Sequence, residues 1–213
     1  MLKSLSFFIS LILVFNKLTA QDIYVSGGMG LNNVTMESLN DYLRYNSGFN
    51  NRRDDAHTAI EFYSAVGSKI SYNVLLEASF GYSLNSFSKS ALLGTYQLEY
   101  VFYLPEFMFI YDIPYNYYGF QFGAGFGFYL GSVSETQYGT MLKVTEETKG
   151  WGFQLKSVFY AALSRNLSAE IIANYRNSFL NDLYIFEINT TPARPLNLSF
   201  NSLGIKLGVR YFL

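Results

Sequence analysis

The sequence predicts an all-β protein: a closed antiparallel transmembrane β-barrel of about eight strands, up-and-down in topology, following a cleaved signal peptide. Three observations carry this. Aromatic residues make up 19% of the chain, 20 Phe and 19 Tyr against a single Trp, while charged residues are only 15%; an ordinary soluble domain holds ~25% charged residues. Beyond residue 20 no apolar run is long enough for a membrane-spanning helix. The nearest, Leu98 to Tyr115, is broken by Glu99, Pro105, Glu106, Asp112 and Pro114. Finally, eight segments alternate apolar and polar residues with a period of two, over lengths beyond the ~5–6 residues of a globular strand. They suit tilted membrane strands of ~9–11 residues plus overhang.

The chain opens with a leader-like segment. Met1-Leu2-Lys3 is a short basic start, Leu5 to Phe15 is apolar, and Asn16 to Ala20 is a polar tail ending in a small residue. This is the layout of a secretory signal peptide. The apolar run is too short to cross ~30 Å of hydrocarbon as a helix. The division expected is therefore 1–20 signal peptide and 21–213 barrel domain.

The expected strands follow in order. The first, Asp22 to Leu31, sets Ile23, Val25, Met29 and Leu31 against Tyr24, Ser26, Gly28 and Gly30. The second, His57 to Gly67, sets Ile60, Phe62 and Val66 against Glu61 and Tyr63. The third, Asn73 to Leu84, alternates most cleanly, with Leu76, Phe80 and Tyr82 against Glu77, Ser79 and Gly81. The fourth, Ala91 to Leu104, sets Leu92, Tyr96, Leu98, Tyr100 and Phe102 against Thr95, Gln97 and Glu99. The fifth, Asn116 to Leu130, sets Tyr118, Phe120, Phe122, Phe126 and Phe128 against Gln121 and glycines. The sixth, Trp151 to Ser164, sets Phe153, Leu155 and Phe159 against Gln154, Lys156 and Tyr160. The seventh, Leu167 to Ser178, sets Ile171, Ala173 and Tyr175 against Glu170, Asn174 and Arg176. The eighth, Leu198 to Leu213, sets Leu203, Ile205, Leu207, Val209 and Tyr211 against Ser202, Lys206 and Arg210.

Connection lengths assign the two ends. Asn32–Ala56, Gly131–Gly150 and Phe179–Asn197 are long and polar, whereas Ser68–Tyr72 and Arg165-Asn166 are short. Transmembrane barrels carry long outer loops and short inner turns. Two links fit poorly: Asn85–Ser90 reads as a short outer loop, and Pro105–Tyr115 as a long apolar inner turn. In the first loop Met36, Leu39, Tyr42 and Leu43 have helical spacing, so a short helix is expected there.

The faces opposite the aromatics collect Glu61, Glu77, Glu99 and Glu170 together with Lys156, Arg176, Lys206 and Arg210. Buried charges are costly unless paired, and an eight-stranded barrel has just enough interior for side chains. The expectation is a lumen packed by a charge-paired network, with no wide channel. Closure of the last strand onto the first places Lys206 and Arg210 near the Tyr24–Gly30 and Glu170–Arg176 faces. The glycines of the fifth strand make room for long lumenal neighbours.

Other chemistry has little support. There is no cysteine and one histidine, His57, so no cofactor or metal site is expected. Ser64 lies on the face opposite His57 and Glu61, so no catalytic triad assembles locally and no enzymatic activity is expected. Without Lys3 and Lys17 the net charge is near −3, and no basic block exists to grip nucleic acid.

The last eight residues end in a pattern of Lys206, Gly208, Tyr211 and Leu213. This resembles the carboxy-terminal signature of outer-membrane barrels, with Leu213 where Phe is more usual. Gly152 to Tyr160, Leu163 to Leu167 and Ala173 to Arg176 are similar to strands of the small OmpX/OmpA-type barrels. The resemblance implies residence in the cell outer membrane, contact with its lipid and lipopolysaccharide, and recognition of the last strand by the barrel-assembly machinery. Members of that family serve adhesion, envelope integrity and small-solute passage, so the fold alone does not choose among them; the long outer loops favour a surface-interaction role, in which Tyr42, Tyr45, Phe49, Arg52 and Arg53 are candidate contacts for a host or surface ligand. A narrow solute pore, a lipid-modifying enzyme and a soluble lipocalin-like carrier are the alternatives.

Overall fold

A computed structural model describes residues 23–46, 58–91, 94–136, 143–184 and 195–213. The elements are β1 (Ile23–Thr35), α1 (Glu37–Asn46), β2 (Thr58–Ser71), β3 (Val74–Ala91), β4 (Gly94–Pro114), β5 (Tyr118–Thr136), β6 (Lys143–Ala162), β7 (Leu167–Leu180), the short pair β8 (Asp182–Tyr184) and β9 (Pro195–Asn197), and β10 (Asn201–Phe212). Eight strands close into one barrel in the order β1-β10-β7-β6-β5-β4-β3-β2, and β8 and β9 pair separately. Every neighbouring pair is antiparallel. The expected leader 1–20, His57, Phe49, Arg52 and Arg53 lie outside the described residues.

β10 closes on β1 with Gly28 opposite Gly208 and Tyr24 opposite Phe212. Backbone bonds fasten this end: Leu213 N–H donates to Ile23 O at 3.0 Å, and Phe212 N–H to Asn166 O at 2.9 Å. The short links at Tyr72-Asn73, 115–117 and 163–166 share the end that holds Ile23 and Leu213. The opposite, outer end carries α1 and the β8–β9 pair. The helix expected around Met36–Leu43 is α1, and Tyr42 and Tyr45 fall on it.

The outer wall has an apolar belt. Phe107, Phe109, Phe122, Phe126, Leu155, Ile205 and Leu207 each expose half or more of their surface. On β5 the belt runs from Tyr118 to Leu130, a height of roughly 30 Å at ~3.4 Å per residue and ~40° tilt; on β10, Leu203 to Tyr211 spans roughly 20 Å. Both bracket the ~25 Å band of a transmembrane barrel. Aromatic rings mark its edges. Tyr82 packs on Tyr103 and Trp151 on Phe179 at the outer edge, with centroids 5.5 and 4.8 Å apart. Tyr115 stacks on Tyr118 at 4.9 Å at the inner edge. No helix among the described residues is long and apolar enough to cross a membrane; the strands do that.

β4 corrects two expectations. Pro105–Tyr115 is no inner turn: β4 runs unbroken to Pro114, and Pro105 lies inside it opposite Phe80. Its missing N–H coincides with a gap in the β4–β5 ladder between Tyr103 and Glu106, and the register resumes unchanged. The faces of the upper half are also opposite to those expected. Tyr96, Leu98, Tyr100, Phe102 and Leu104 are buried inside the barrel. Likewise Asn85–Ser90 is no loop but part of β3, which pairs with β4 as far as Ala91 and Gly94.

The physical reason is height. Inside the lipid belt, apolar side chains point outward. Above the belt the surroundings are aqueous, and the preference reverses. On β5 the outward row changes from Phe126, Phe128 and Leu130 to Ser132, Ser134 and Thr136, while inward Tyr129 and Val133 are buried. On β6 the outward row changes from Trp151 to Lys149 and Glu147. One strand therefore obeys two opposite polarity rules along its length.

Candidate functional site: a sealed lumen under a polar outer rim

The lumen is filled in two layers. The lower layer, at the level of the belt, is ionic. Glu61 is its hub. It accepts two hydrogen bonds from the Arg176 guanidinium at 3.1 and 3.2 Å, one from Lys206 Nζ at 2.5 Å and one from Asn32 Nδ2 at 2.5 Å. Arg176 also donates from Nε to Glu106 at 2.7 Å and to Gln154 Oε1 at 2.7 Å, and Tyr129 Oη donates to Glu106 at 2.8 Å. Below this hub, Glu77 pairs with Lys156 and accepts from Tyr24 Oη at 2.7 Å. Glu170 lies 2.8 Å from Arg210 Nη2 and accepts from Tyr63 Oη at 2.6 Å. The Arg210 guanidinium rests over the Tyr24 ring at 4.3 Å. Nearest the inner end, Asp112 accepts from Gln121 and Tyr160, each at 3.1 Å.

Seven of the eight charges singled out in the sequence thus converge inside the barrel. Arg210 meets Tyr24 and Glu170 on the neighbouring strands expected from closure, whereas Lys206 reaches past β1 to Glu61 on β2. Glu99 is the exception. It stands above the belt, where Lys143 Nζ lies 3.0 Å away and both side chains are substantially exposed; Gln97 donates to it at 2.6 Å. The inverted face of upper β4 puts it in water. The network instead uses two acids that the sequence reading missed, Glu106 and Asp112. Their signal was present: Glu106, Met108, Ile110 and Asp112 share one parity, and Phe107, Phe109 and Tyr111 the other.

Local sequence explains how long polar side chains fit. A Cβ on Gly67 would lie 2.1 Å from the Tyr24 ring, and one on Gly208 would lie 1.9 Å from Tyr63 Oη. The terminal pattern therefore has internal roles. Lys206 and Gly208 serve the lumen, whereas Tyr211 and Leu213 face outward.

The upper layer is an apolar plug. Leu98, Tyr100, Phe102 and Leu104 of β4 pack against Tyr129, Val133 and Phe200, with Met36 and Leu39 at α1 and Leu183 and Leu196 of the β8–β9 pair in the same cluster. Phe102 and Phe200 have ring centroids 4.9 Å apart. Between the acids of the lower layer lies a void of about 10 Å³, lined by Glu61, Glu77, Glu106, Lys156 and Lys206, room for about one water. Among the described residues both layers are filled by side chains packed against one another. Among the described residues no group of three or more His, Cys, Asp or Glu is arranged to hold a metal ion.

Outside the plug, the outer rim carries polar clefts. One, of about 280 Å³, lies over the β1–β10–β7 seam between the start of α1 and the end of β9.

No protein-family model matches the chain, and no curated protein matches it. Solved structures do. Neisserial surface protein A is 12% identical, with a TM-score of 0.52 over 90% of this chain and 97% of that one. Ail, the attachment invasion locus protein of Yersinia pestis, solved in complex with the heparin analogue sucrose octasulfate, is 11% identical, with a TM-score of 0.53 over 89% and 97%. A second structure of Ail gives 11% and 0.53 over 90% and 98%. The likeness spans nearly the whole of each chain at low identity, and so establishes shared architecture.

Proposed function

From the fold this chain shares with the small OmpX-like outer-membrane β-barrels, we propose that it is a non-enzymatic integral outer-membrane protein whose work is done at its outer end, as an adhesin-like surface-interaction barrel. One observation carries this reading: the lumen is closed twice, by the ionic layer and by the apolar plug. A closed lumen turns function outward, to the rim and the loops, where barrel scaffolds present variable surface.

Several parts of this reading rest on the sequence. Met1–Ala20 directs export and is removed. The last strand, through Lys206, Gly208, Tyr211 and Leu213, is the segment offered to the barrel-assembly machinery, and lipopolysaccharide is the outer-leaflet neighbour. Catalysis is not part of the proposal, because Glu61, Glu77, Glu106, Asp112 and Glu170 of the lumen are each engaged by a cation, amide or phenol. A soluble carrier reading is disfavoured by the exposed aromatic belt and the enclosed charges.

Two measurements test it. Planar-bilayer recordings of the purified barrel should show no conductance steps; regular steps would restore the narrow-pore alternative. Cells displaying the protein should adhere to a glycan-coated or host-cell surface more than cells lacking it. Equal adherence across such surfaces would refute the surface role.

A further inference from the structure

We propose that the cleft on the outer rim of the β1–β10–β7 seam is a binding site for an uncharged saccharide. The inference rests on the outward-function reading above and gives it a ligand class.

The lining points to sugar chemistry. Thr35, Ser38, Asn177 and Asn201 supply hydroxyls and amides, the groups that both donate to and accept from sugar hydroxyls, while Asn197 and Ser199 complete the lining and are held by Leu180 and Asp182. Among the described residues the lining holds no Lys, Arg or His, and its one charge is Glu37. A phosphate or sulfate would find no cation there and one carboxylate against it. The described lining thus favours an uncharged ligand over a polyanion.

Its floor is preorganised. β10 places Asn201 opposite Thr35 of β1 and Asn177 of β7, so the three outward side chains form one row just above the lipid belt. Asn177 Nδ2 donates to Asn201 Oδ1, and Tyr175 Oη donates to the same oxygen at 3.3 Å. Holding amides in place before binding reduces the entropy lost on association.

One wall is aromatic. Phe179 lines the cleft with 46% of its surface exposed, and its ring packs 4.8 Å from Trp151. A ring face lined by amides is a platform for the C–H face of a pyranose. The volume, about 280 Å³, lies just under the ~300–1,000 Å³ of drug-sized sites, so a short segment of a glycan fits. The sugar could belong to neighbouring lipopolysaccharide or to a foreign glycan; both offer the same hydroxyl chemistry.

Trp151 is the only tryptophan of the chain and packs on Phe179 of the cleft wall, so its emission reports on the site through that ring. The full barrel in detergent micelles is titrated with maltotriose, triacetylchitotriose, sucrose octasulfate and lipopolysaccharide while Trp151 emission is followed. The expected result is saturable change with a neutral trisaccharide or with lipopolysaccharide, and none with sucrose octasulfate. Response to lipopolysaccharide alone assigns the sugar to the membrane's own glycolipid; response to a free trisaccharide assigns it to a foreign glycan. Asn177→Ala and Asn201→Ala should each weaken the response about tenfold, the effect of one lost hydrogen bond of ~1.4 kcal/mol, while the gel mobility of the folded barrel is retained. Ser38→Tyr should block the cleft without touching the barrel wall, and covers the case where an Asn variant fails to fold. Tighter binding of sucrose octasulfate than of any neutral sugar, or no saturable response to any probe, would overturn the proposal. Glycan adherence that survives Asn201→Ala and Ser38→Tyr would keep the surface role and discard this site.

Discussion

Replacing Arg176 by Met tests whether the ionic layer holds the barrel together. The side chain donates to Glu106, twice to Glu61 and once to Gln154. Met fills similar volume and supplies none of these bonds. The two acids lose unequally. Glu61 keeps Lys206 and Asn32, but Glu106 keeps only the Tyr129 hydroxyl. Removing one partner of a buried pair costs about 3–5 kcal/mol, chiefly because a buried charge is left uncompensated. The loss should therefore sit on Glu106, and Arg176→Met combined with Glu106→Gln should recover about half of it. The assay is a urea titration of folding into lipid vesicles, followed by Trp151 emission and gel mobility. A loss under about 1 kcal/mol, or a double variant no better than the single one, would refute the reasoning: the network would then be tolerant packing and not a set of mutually dependent charges.

Further substitutions probe other levels. Lys143→Ala removes the exposed partner of Glu99 and should change stability by no more than about 1 kcal/mol in the same titration. Leu207→Arg places a charge at the middle of the β10 lipid face and should cost about 2–4 kcal/mol, whereas Ser134→Arg, outward but above the belt, should cost near zero; equal costs would contradict the reversal of polarity with height. Gly208→Val drives a side chain into the Tyr63 hydroxyl and should cost about 1–3 kcal/mol, part of which Tyr63→Ala relieves, as measured by urea midpoints of the single and double variants.

Much of the barrel was legible in the sequence because one physical rule governs most of its length. Where a strand lies wholly within lipid, as in lower β5 with Phe120, Phe122 and Phe126, period-two alternation reports the lipid face directly. Closure then follows, and with it Tyr24 and Glu170 as the partners of Arg210; Lys206 reaches one strand further, to Glu61 of β2. The upper half of β4 was misread because the rule changes sign where the strand leaves the membrane. Tyr96, Leu98, Tyr100 and Phe102 alternate as cleanly as a lipid face, yet they fill a plug. Alternation reveals that two faces differ, not which solvent each one meets. The outward Thr95, Gln97 and Glu99 were the counter-signal, since they match the polar outward rows of upper β5 and β6. The rim cleft was not legible at all: Thr35, Asn177 and Asn201 are far apart in sequence and meet only through the register of three strands.

The two-layer lumen yields a last prediction about how the barrel stays shut. Phe102→Ala removes a ring that packs 4.9 Å from Phe200, and truncating a buried Phe costs about 3–5 kcal/mol. It opens space in the plug, yet the barrel should remain non-conducting. Below that space the Glu61–Arg176–Glu106 and Glu77–Lys156 contacts still cross the lumen, with a void of only about 10 Å³ among them. Arg176→Met alone should also stay closed, because the plug lies above it. Only the pair Phe102→Ala and Arg176→Met removes both seals, so conductance should rise more than the two single effects added. Bilayer recordings of the three variants decide this. Open-channel steps in Phe102→Ala alone would show that the ionic layer is porous to ions, and that the plug by itself keeps this barrel from being a pore.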